Sequence, residues 1–293
     1  MTVTSQMASV QPTTLRGRLW PNGAKFTSLL VGGGLTGLVI LAALVSFVWT
    51  PHDPVAIDIG LQLLGPSTEY WLGTDHFGRD VVSMILVGAR TTLAVGAASV
   101  AIGAGVGIGL GLVASARGGW TEEIIMRLSD FSFAFPAILS AILITAILGP
   151  GTLTAILAIG IFNVPVFARL TRAAANGIWG REYVLAAQAI GKSRGRITVG
   201  HVLPNISGVL IVQGTVSFAI AILAEAALSY LGLGTQPPDP SWGRMLFEAQ
   251  SFVFQAPRLA IFPGIAIAIV VLGLNLLGDG LRDAMDPRQN ANL

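Results

Sequence analysis

Long apolar runs alternate with short polar segments along this chain. The first, residues 26–49, carries no charge from Phe26 to Trp49. Residues 91–114 form a second charge-free run. A third, about 124–148, opens amphipathically with Arg127 and Asp130 and then becomes fully apolar. Gly149-Pro150-Gly151 predicts a tight turn, and further runs follow at about 152–175, 206–230 and 259–278. A helix needs about 20 apolar residues to cross roughly 30 Å of hydrocarbon, and each run reaches that length. The pattern therefore predicts an all-α polytopic membrane protein with six transmembrane helices and both termini on one side. The first run greatly exceeds the 7–15 residues of a signal-peptide core, so it is read as a retained span.

Composition agrees with a bilayer as solvent. Hydrophobic residues make up 53% of the 293 and charged residues 11%, against roughly 25% charged in soluble domains. Mean hydropathy is +0.73. That excludes a water-soluble globule and a disordered chain, and the 36 glycines follow no collagen period. Net charge is only +2 and no basic stripe is interleaved with aromatics, so nucleic acid is not an expected partner. With no cysteine, disulfides, Cys-ligated metals and thiol catalysis are excluded. Of the 17 Lys and Arg residues, only Arg79, Arg90, Arg244 and Arg258 fall on the side opposite the termini. The positive-inside rule then puts both termini in the cytoplasm. The expected organisation is a cytoplasmic tail at 1–25, the first span at 26–49 and an extracytoplasmic segment at 50–90. A five-helix core at 91–281 and a cytoplasmic tail at 282–293 complete it.

Several segments carry more than hydrophobicity. Gly103, Gly107 and Gly111 share one face of the second span and Gly105 and Gly109 a neighbouring one, which predicts close helix packing. The longest cytoplasmic segment, about 176–205, holds helix-forming residues 182–190, a capping Gly191 and a short basic stretch. It ends at Leu203-Pro204, where proline is expected to stop the helix and start the turn into the fifth span. Glu225 lies inside that fifth span. A mid-membrane charge costs roughly 2.5–3.5 kcal/mol on insertion scales, so Glu225 is either a hydrogen-bonded structural residue or part of a translocation pathway. Asp75, Arg79 and Asp80 cluster charge ahead of the second span, as local caps or as a docking surface. His52 and His76 lack neighbouring ligands in sequence, and no metal site is expected. Asp279, between two glycines, reads as a helix terminator.

The residues Ala186-Ala187, Gly191 and Leu203-Pro204 resemble, in type and spacing, the EAA loop of bacterial ABC importer permeases, with Leu185 where that loop usually has Glu. Glu182, three residues earlier, is a candidate substitute carboxylate on the same helix face. Leu72-Gly73-Thr74-Asp75-His76-Phe77-Gly78-Arg79-Asp80 and Gly88-Ala89-Arg90 resemble the signature of the dipeptide/oligopeptide/nickel permeases of the DppC/OppC type. So do Leu228-Ser229-Tyr230-Leu231-Gly232-Leu233-Gly234, Gln236-Pro237-Pro238, Pro240-Ser241-Trp242-Gly243 and His201-Val202-Leu203-Pro204-Asn205. The resemblance covers about residues 20–288 and implies a type I ABC importer (MetI-like) permease fold in the bacterial inner or plasma membrane. It implies four kinds of partner: a second homologous permease, two cytoplasmic ATPase subunits, an extracytoplasmic substrate-binding protein and the lipid bilayer. ATP and Mg would sit on the ATPases, leaving no cofactor and no catalytic residue on this chain. Glu182, Leu185, Ala186, Ala187, Gly191, Leu203 and Pro204 would form the ATPase-coupling loop. Asp75, Arg79 and Asp80 would meet the binding protein, and Glu225 is a candidate for the pathway. Peptide is the expected cargo, with nickel or another small cargo as the alternative.

Two rivals from other classes are weaker. An integral membrane enzyme needs a catalytic constellation, and the sequence has no His-Glu-x-x-His, no Gly-x-Ser-x-Gly and no phosphate-binding loop. A self-sufficient carrier commonly shows inverted repeats with charged broken helices, and no such internal similarity is visible.

Overall fold

The computed structural model describes residues 21–285, with side chains from Thr27 onward. The expected tails beyond those limits, with Arg16, Arg18 and Arg288, lie outside the described residues. Ten α-helices follow one another: α1 Pro21–Val45, α2 Val81–Arg117, α3 Gly119–Phe133, α4 Ala137–Leu148, α5 Thr152–Trp179, α6 Glu182–Ala189, α7 Arg194–Ile197, α8 Leu203–Tyr230, α9 Trp242–Ala249 and α10 Arg258–Met285. Among the described residues there is no β-strand, only an isolated antiparallel bridge between Thr74 and Asp80. Among the described residues, five helices or helix runs are long and apolar enough to cross a membrane, and α3 with α4, bent by 87°, adds a sixth if the pair is taken as one span.

That bend departs from the straight third span expected at 124–148. Pro136 has no N–H to give to the helix, and its ring disfavours helical backbone at Phe135, so α3 ends at Phe133 and α4 restarts at Ala137. α3 exposes Trp120, Ile124, Leu128 and Phe131 along one stripe, as an amphipathic helix does. The second span also starts earlier than the apolar run. Asp80 caps α2 by accepting from the Ser83 N–H at 2.9 Å and the Ser83 hydroxyl at 2.6 Å. At 37 residues and about 1.5 Å per residue, α2 exceeds the hydrocarbon thickness. Its Arg90 guanidinium lies 4.6 Å from the Phe47 ring centre.

Two expected helix stops are not stops. Pro204 stands in the first turn of α8, where a missing N–H costs little, and the chain enters α8 from the π-helical turn Thr198–Val202 with no intervening loop. Asp279 lies within α10, which continues to Met285. Its flanking glycines serve contact instead: a Cβ on Gly280 would fall 2.8 Å from the Leu29 backbone of α1, and one on Gly278 would fall 2.5 Å from the Thr215 hydroxyl of α8.

α2 packs along α5, and α1 along α10. The α2–α5 seam uses the predicted glycines. A Cβ on Gly103 would lie 2.2 Å from Asn163 Cβ, and Cβ atoms on Gly107 and Gly111 would lie 2.5 Å from the carbonyl oxygens of Val164 and Ala168. Gly105 and Gly109 meet nothing within 4 Å, so only one of the two glycine faces makes the seam. Three apolar clusters result, one around Val81, Trp242 and Val270, one among α2, α4, α5 and α8, and one that seats α6 on Ala175, Ile197, Val202 and Ile206.

Overpacking a close seam costs about 1–3 kcal/mol. Gly107→Val is expected to lower the heat resistance of the detergent-solubilised chain, read by size exclusion after heating. Gly109→Val should match the native chain, and equal losses from both would contradict the seam.

Candidate functional site

The bundle has two elaborated ends and an open groove between its helices. At the first end, α6 stands between α5 and α8. It stops in a Schellman arrangement: Gly191 adopts φ +81°, its N–H donates to the Gln188 carbonyl at 2.9 Å and the Lys192 N–H donates to the Ala187 carbonyl at 3.1 Å. A left-handed residue at this position favours glycine. Val184 and Ala187 are buried, whereas Glu182, Tyr183, Leu185, Ala186 and Ile190 face outward. Leu185 is 51% exposed and Ile190 75%, an apolar display on a helix that covers nothing else in this chain. Leu203 is half-buried and Pro204 exposed at the start of α8. Arg194 ties the loop to the end of α2 by donating to the Ala116 carbonyl at 2.8 Å. Lys192 Nζ lies 3.3 Å from His201 Nε2.

At the opposite end, residues 50–80 fold into a knot held by polar groups. Asp75 accepts from the backbone N–H groups of Phe77 and Arg79 at 2.9 and 2.8 Å, and from Arg79 Nε at 2.7 Å. Arg79 continues to Glu248 of α9 at 2.5 Å, and Arg244 donates to the other oxygen of Glu248 at 2.8 Å. Burial works against the Arg79 charge, but Asp75 and Glu248 outweigh it and raise its pKa. The Thr74 hydroxyl donates to the Leu61 carbonyl, and Arg258 donates to the carbonyls of Leu63 and Leu64, each at 2.8 Å. Gly78, at φ +78°, lies so close to Asp58 that a Cβ would fall 1.9 Å from its carbonyl oxygen.

Asp75, Arg79 and Asp80, the candidates for contact with a binding protein, lie within this network. They are only 5%, 8% and 2% exposed, and their charges are turned inward; the outward residues here are Ile57, Ile59, Leu64 and Trp71. Asp75, His76 and Glu248 do bring ligand atoms within 4.8 Å of one another. Their carboxylates, however, are already held by Arg79 and Arg244, two fixed positive charges that oppose a cation. Burial, the largest influence on His76, lowers its pKa, and its ring stacks on Phe252 at 4.9 Å.

Glu225 is completely buried among hydroxyl groups. Ser229 donates to it at 2.7 Å, and Thr92 of α2 and Thr235 of the following loop each donate at 3.4 Å. The carboxylate thus joins α2, α8 and the loop after α8, and it is not among the residues lining the groove described below. The neighbouring motif residues complete this joint. Gly234 lies on Ser229 and Gly243 on Ala226, while the buried Trp242 indole N–H donates to the Ile85 carbonyl at 3.0 Å.

The groove, of about 580 Å³, lies between the α3–α4 elbow, α5 and α8 and is open on one side. Its lining is almost wholly apolar, with Ser132, Asn163, Gln213 and Ser217 as the polar exceptions. Sequence reasoning overlooked these, because a search for charges inside spans passes over carboxamides. It also missed Glu248, which no local pattern links to Arg79.

Residues 105–291 match the model of a family described as "Binding-protein-dependent transport system inner membrane component". Over 252 residues the chain is 45% identical to the dipeptide transport system permease protein DppC of Alkalihalophilus pseudofirmus, covering 86% of this chain and 83% of that one. It is 43% identical over 260 residues to the glutathione transport system permease protein GsiD of Salmonella typhimurium, with 88% and 86% covered. Among solved structures, an inward-facing MetNI methionine ABC transporter aligns with a TM-score of 0.57 at 19% identity, covering 68% of this chain and 94% of that one. That likeness speaks for the fold, a type I ABC importer permease of MetI-like architecture.

Removing one member of a buried ionic network leaves its partner charges uncompensated, at a cost of about 3–5 kcal/mol. Arg79→Leu should therefore loosen the knot and speed proteolysis within residues 50–80. The double variant Arg79→Leu, Asp75→Asn, which keeps the Arg244–Glu248 pair, should recover much of the native resistance. Equal protease sensitivity of native chain and single variant would contradict the hub.

Proposed function

The chain belongs to the family of binding-protein-dependent transport system inner membrane components, and on that basis we propose that it is the permease subunit of an ATP-driven importer of small peptides. The two relatives described above carry names for dipeptide and glutathione transport, and both cargoes are short peptides. The chain forms half of a pathway completed by a second, homologous permease. Two ATPase subunits act from the cytoplasm and a substrate-binding protein delivers cargo from outside. ATP and Mg²⁺ are held by the ATPases, so this chain works without a cofactor of its own and is not itself an enzyme. The basic bias puts the α6 end and both termini in the cytoplasm.

The observation that carries the coupling step is the outward face of α6. A helix that buries Val184 and Ala187 but presents Tyr183, Leu185 and Ile190 is seated firmly on the bundle and offers apolar side chains to another polypeptide. With Leu185 at the position where the family's loop usually has Glu, contact there is apolar rather than ionic. Motion of the ATPase pair is taken up by α6, passed to α2 through Arg194 and passed to α8 through the π-helical turn at 198–202. The bundle then alternates between openings to the two sides. Peptide is favoured over bare nickel because the groove has no His, Asp or Glu in its lining, and a divalent transition metal needs such ligands.

Proline cannot adopt the positive φ of Gly191. Gly191→Pro should abolish ATP-dependent peptide uptake by the assembled importer while leaving membrane insertion intact. Native uptake by that variant would overturn the coupling role, and uptake by the purified chain alone in liposomes would overturn the importer reading.

A further inference from the structure

The groove described above carries no formal charge on its lining, and its few polar groups are incompletely used. Ser132 is satisfied by its own helix, its hydroxyl donating to the Leu128 carbonyl at 3.0 Å. The other three differ. Asn163 uses its amide N–H to reach the Ile159 carbonyl at 3.0 Å, and Gln213 donates to the Ser217 hydroxyl oxygen at 3.2 Å. Among the described residues, the two carboxamide oxygens receive no donor, and the Ser217 hydroxyl hydrogen finds no acceptor. Gln213 and Ser217 are one turn apart on α8, and Asn163 faces them from α5. Asn163 has no room to withdraw toward α2, because its Cβ already lies against Gly103.

Two free acceptors and one free donor turned toward an open, largely apolar groove can each take up a polar group of a ligand, and polar groups left unpaired against hydrocarbon are costly. An acyl chain offers no donor and would leave all three unmatched. A peptide backbone offers N–H groups to the carboxamide oxygens and a carbonyl to the Ser217 hydroxyl, with side chains that the apolar wall can accept. The groove volume of about 580 Å³ falls within the ~300–1,000 Å³ of small-molecule sites.

We propose that Asn163, Gln213 and Ser217 form a contact rung for cargo in transit, hydrogen-bonding the backbone amides of a peptide while the surrounding wall takes its side chains without reading their charge. This inference deepens the importer reading and rests on it.

The test uses the assembled importer in liposomes, with a dipeptide and its amide-N-methylated counterpart as cargo at saturating binding protein. The ratio of the two transport rates is compared between native and Gln213→Leu importers, so that the binding protein's own preference cancels. One amide hydrogen bond is worth about a fivefold factor, and the ratio should fall by about that much in the variant. An unchanged ratio overturns the proposal. Because Gln213→Leu can disturb assembly, a second measurement exploits the absence of cysteine in this chain. Gln213→Cys should react several-fold more slowly with a thiosulfonate reagent during peptide turnover than without peptide, read on this chain's own band. Ile261→Cys, on an exposed face of α10, serves as reference and should not change. Equal rates at Gln213→Cys with and without peptide overturn the rung. A native importer that moves no peptide overturns the importer reading as well, a result distinct from failure of the variants alone.

Discussion

Hydrocarbon cannot hydrogen-bond, so each polar group within the spans must be satisfied by the protein itself. Much of this architecture follows from that constraint. Glu225 is tolerated in α8 because hydroxyls of Thr92, Ser229 and Thr235 converge on it, and that convergence fixes α2, α8 and the following loop to one another. Thr145 answers the same demand locally, its hydroxyl donating to the Ala141 carbonyl of its own helix at 3.0 Å. At the end bearing residues 50–80, ionic groups are gathered into one network of Asp75, Arg79, Glu248 and Arg244. Among the described residues pairing is not complete: the Thr36 and Thr171 hydroxyls are buried without a partner, whereas the free carboxamide oxygens of Asn163 and Gln213 face the groove.

The second constraint is close approach. Without a hydrophobic driving force between helices in lipid, association depends on contact and shape, and glycine supplies both in the α2–α5 seam and along α1 and α10. These seams join whole helices over several turns, so they move as units. The elbow at 134–136 is the contrasting case. There the third span is interrupted, α3 turns away from α4 by 87°, and the space left over becomes the groove.

The number and approximate place of the long apolar helices were legible in the sequence, because apolar length is a one-dimensional property. The glycine spacing 103, 107, 111 was legible because helical periodicity turns sequence distance into a shared face. The helix at 182–189 and its glycine cap were legible as local signals. Proline was harder to read. Pro136 breaks a helix, Pro204 opens one, and Pro165 and Pro263 sit inside continuous helices, so the same residue has three outcomes set by its surroundings. The charged motif at 75–80 looked like a surface because its partner, Glu248, is 169 residues from Arg79 and only tertiary structure brings the two together.

One helix links the parts of the proposed mechanism. Along α8, Leu203 begins at the coupling loop, Gln213 and Ser217 face the groove, and Glu225 is anchored in the hydroxyl cluster. At about 1.5 Å per residue, Gln213 is roughly 15 Å and Glu225 roughly 33 Å from Leu203. The anchored end is tied by hydrogen bonds to α2 and to the loop after α8, whereas the other begins in a π-helical turn, a geometry often found at functional sites. A helix held at one end and pushed at the other moves least at the anchor and progressively more toward the push. Gln213 lies a little more than halfway from the anchor to the loop, so force applied at α6 reaches the groove wall before the joint at Glu225 resists it. The buried carboxylate therefore serves transport by staying still.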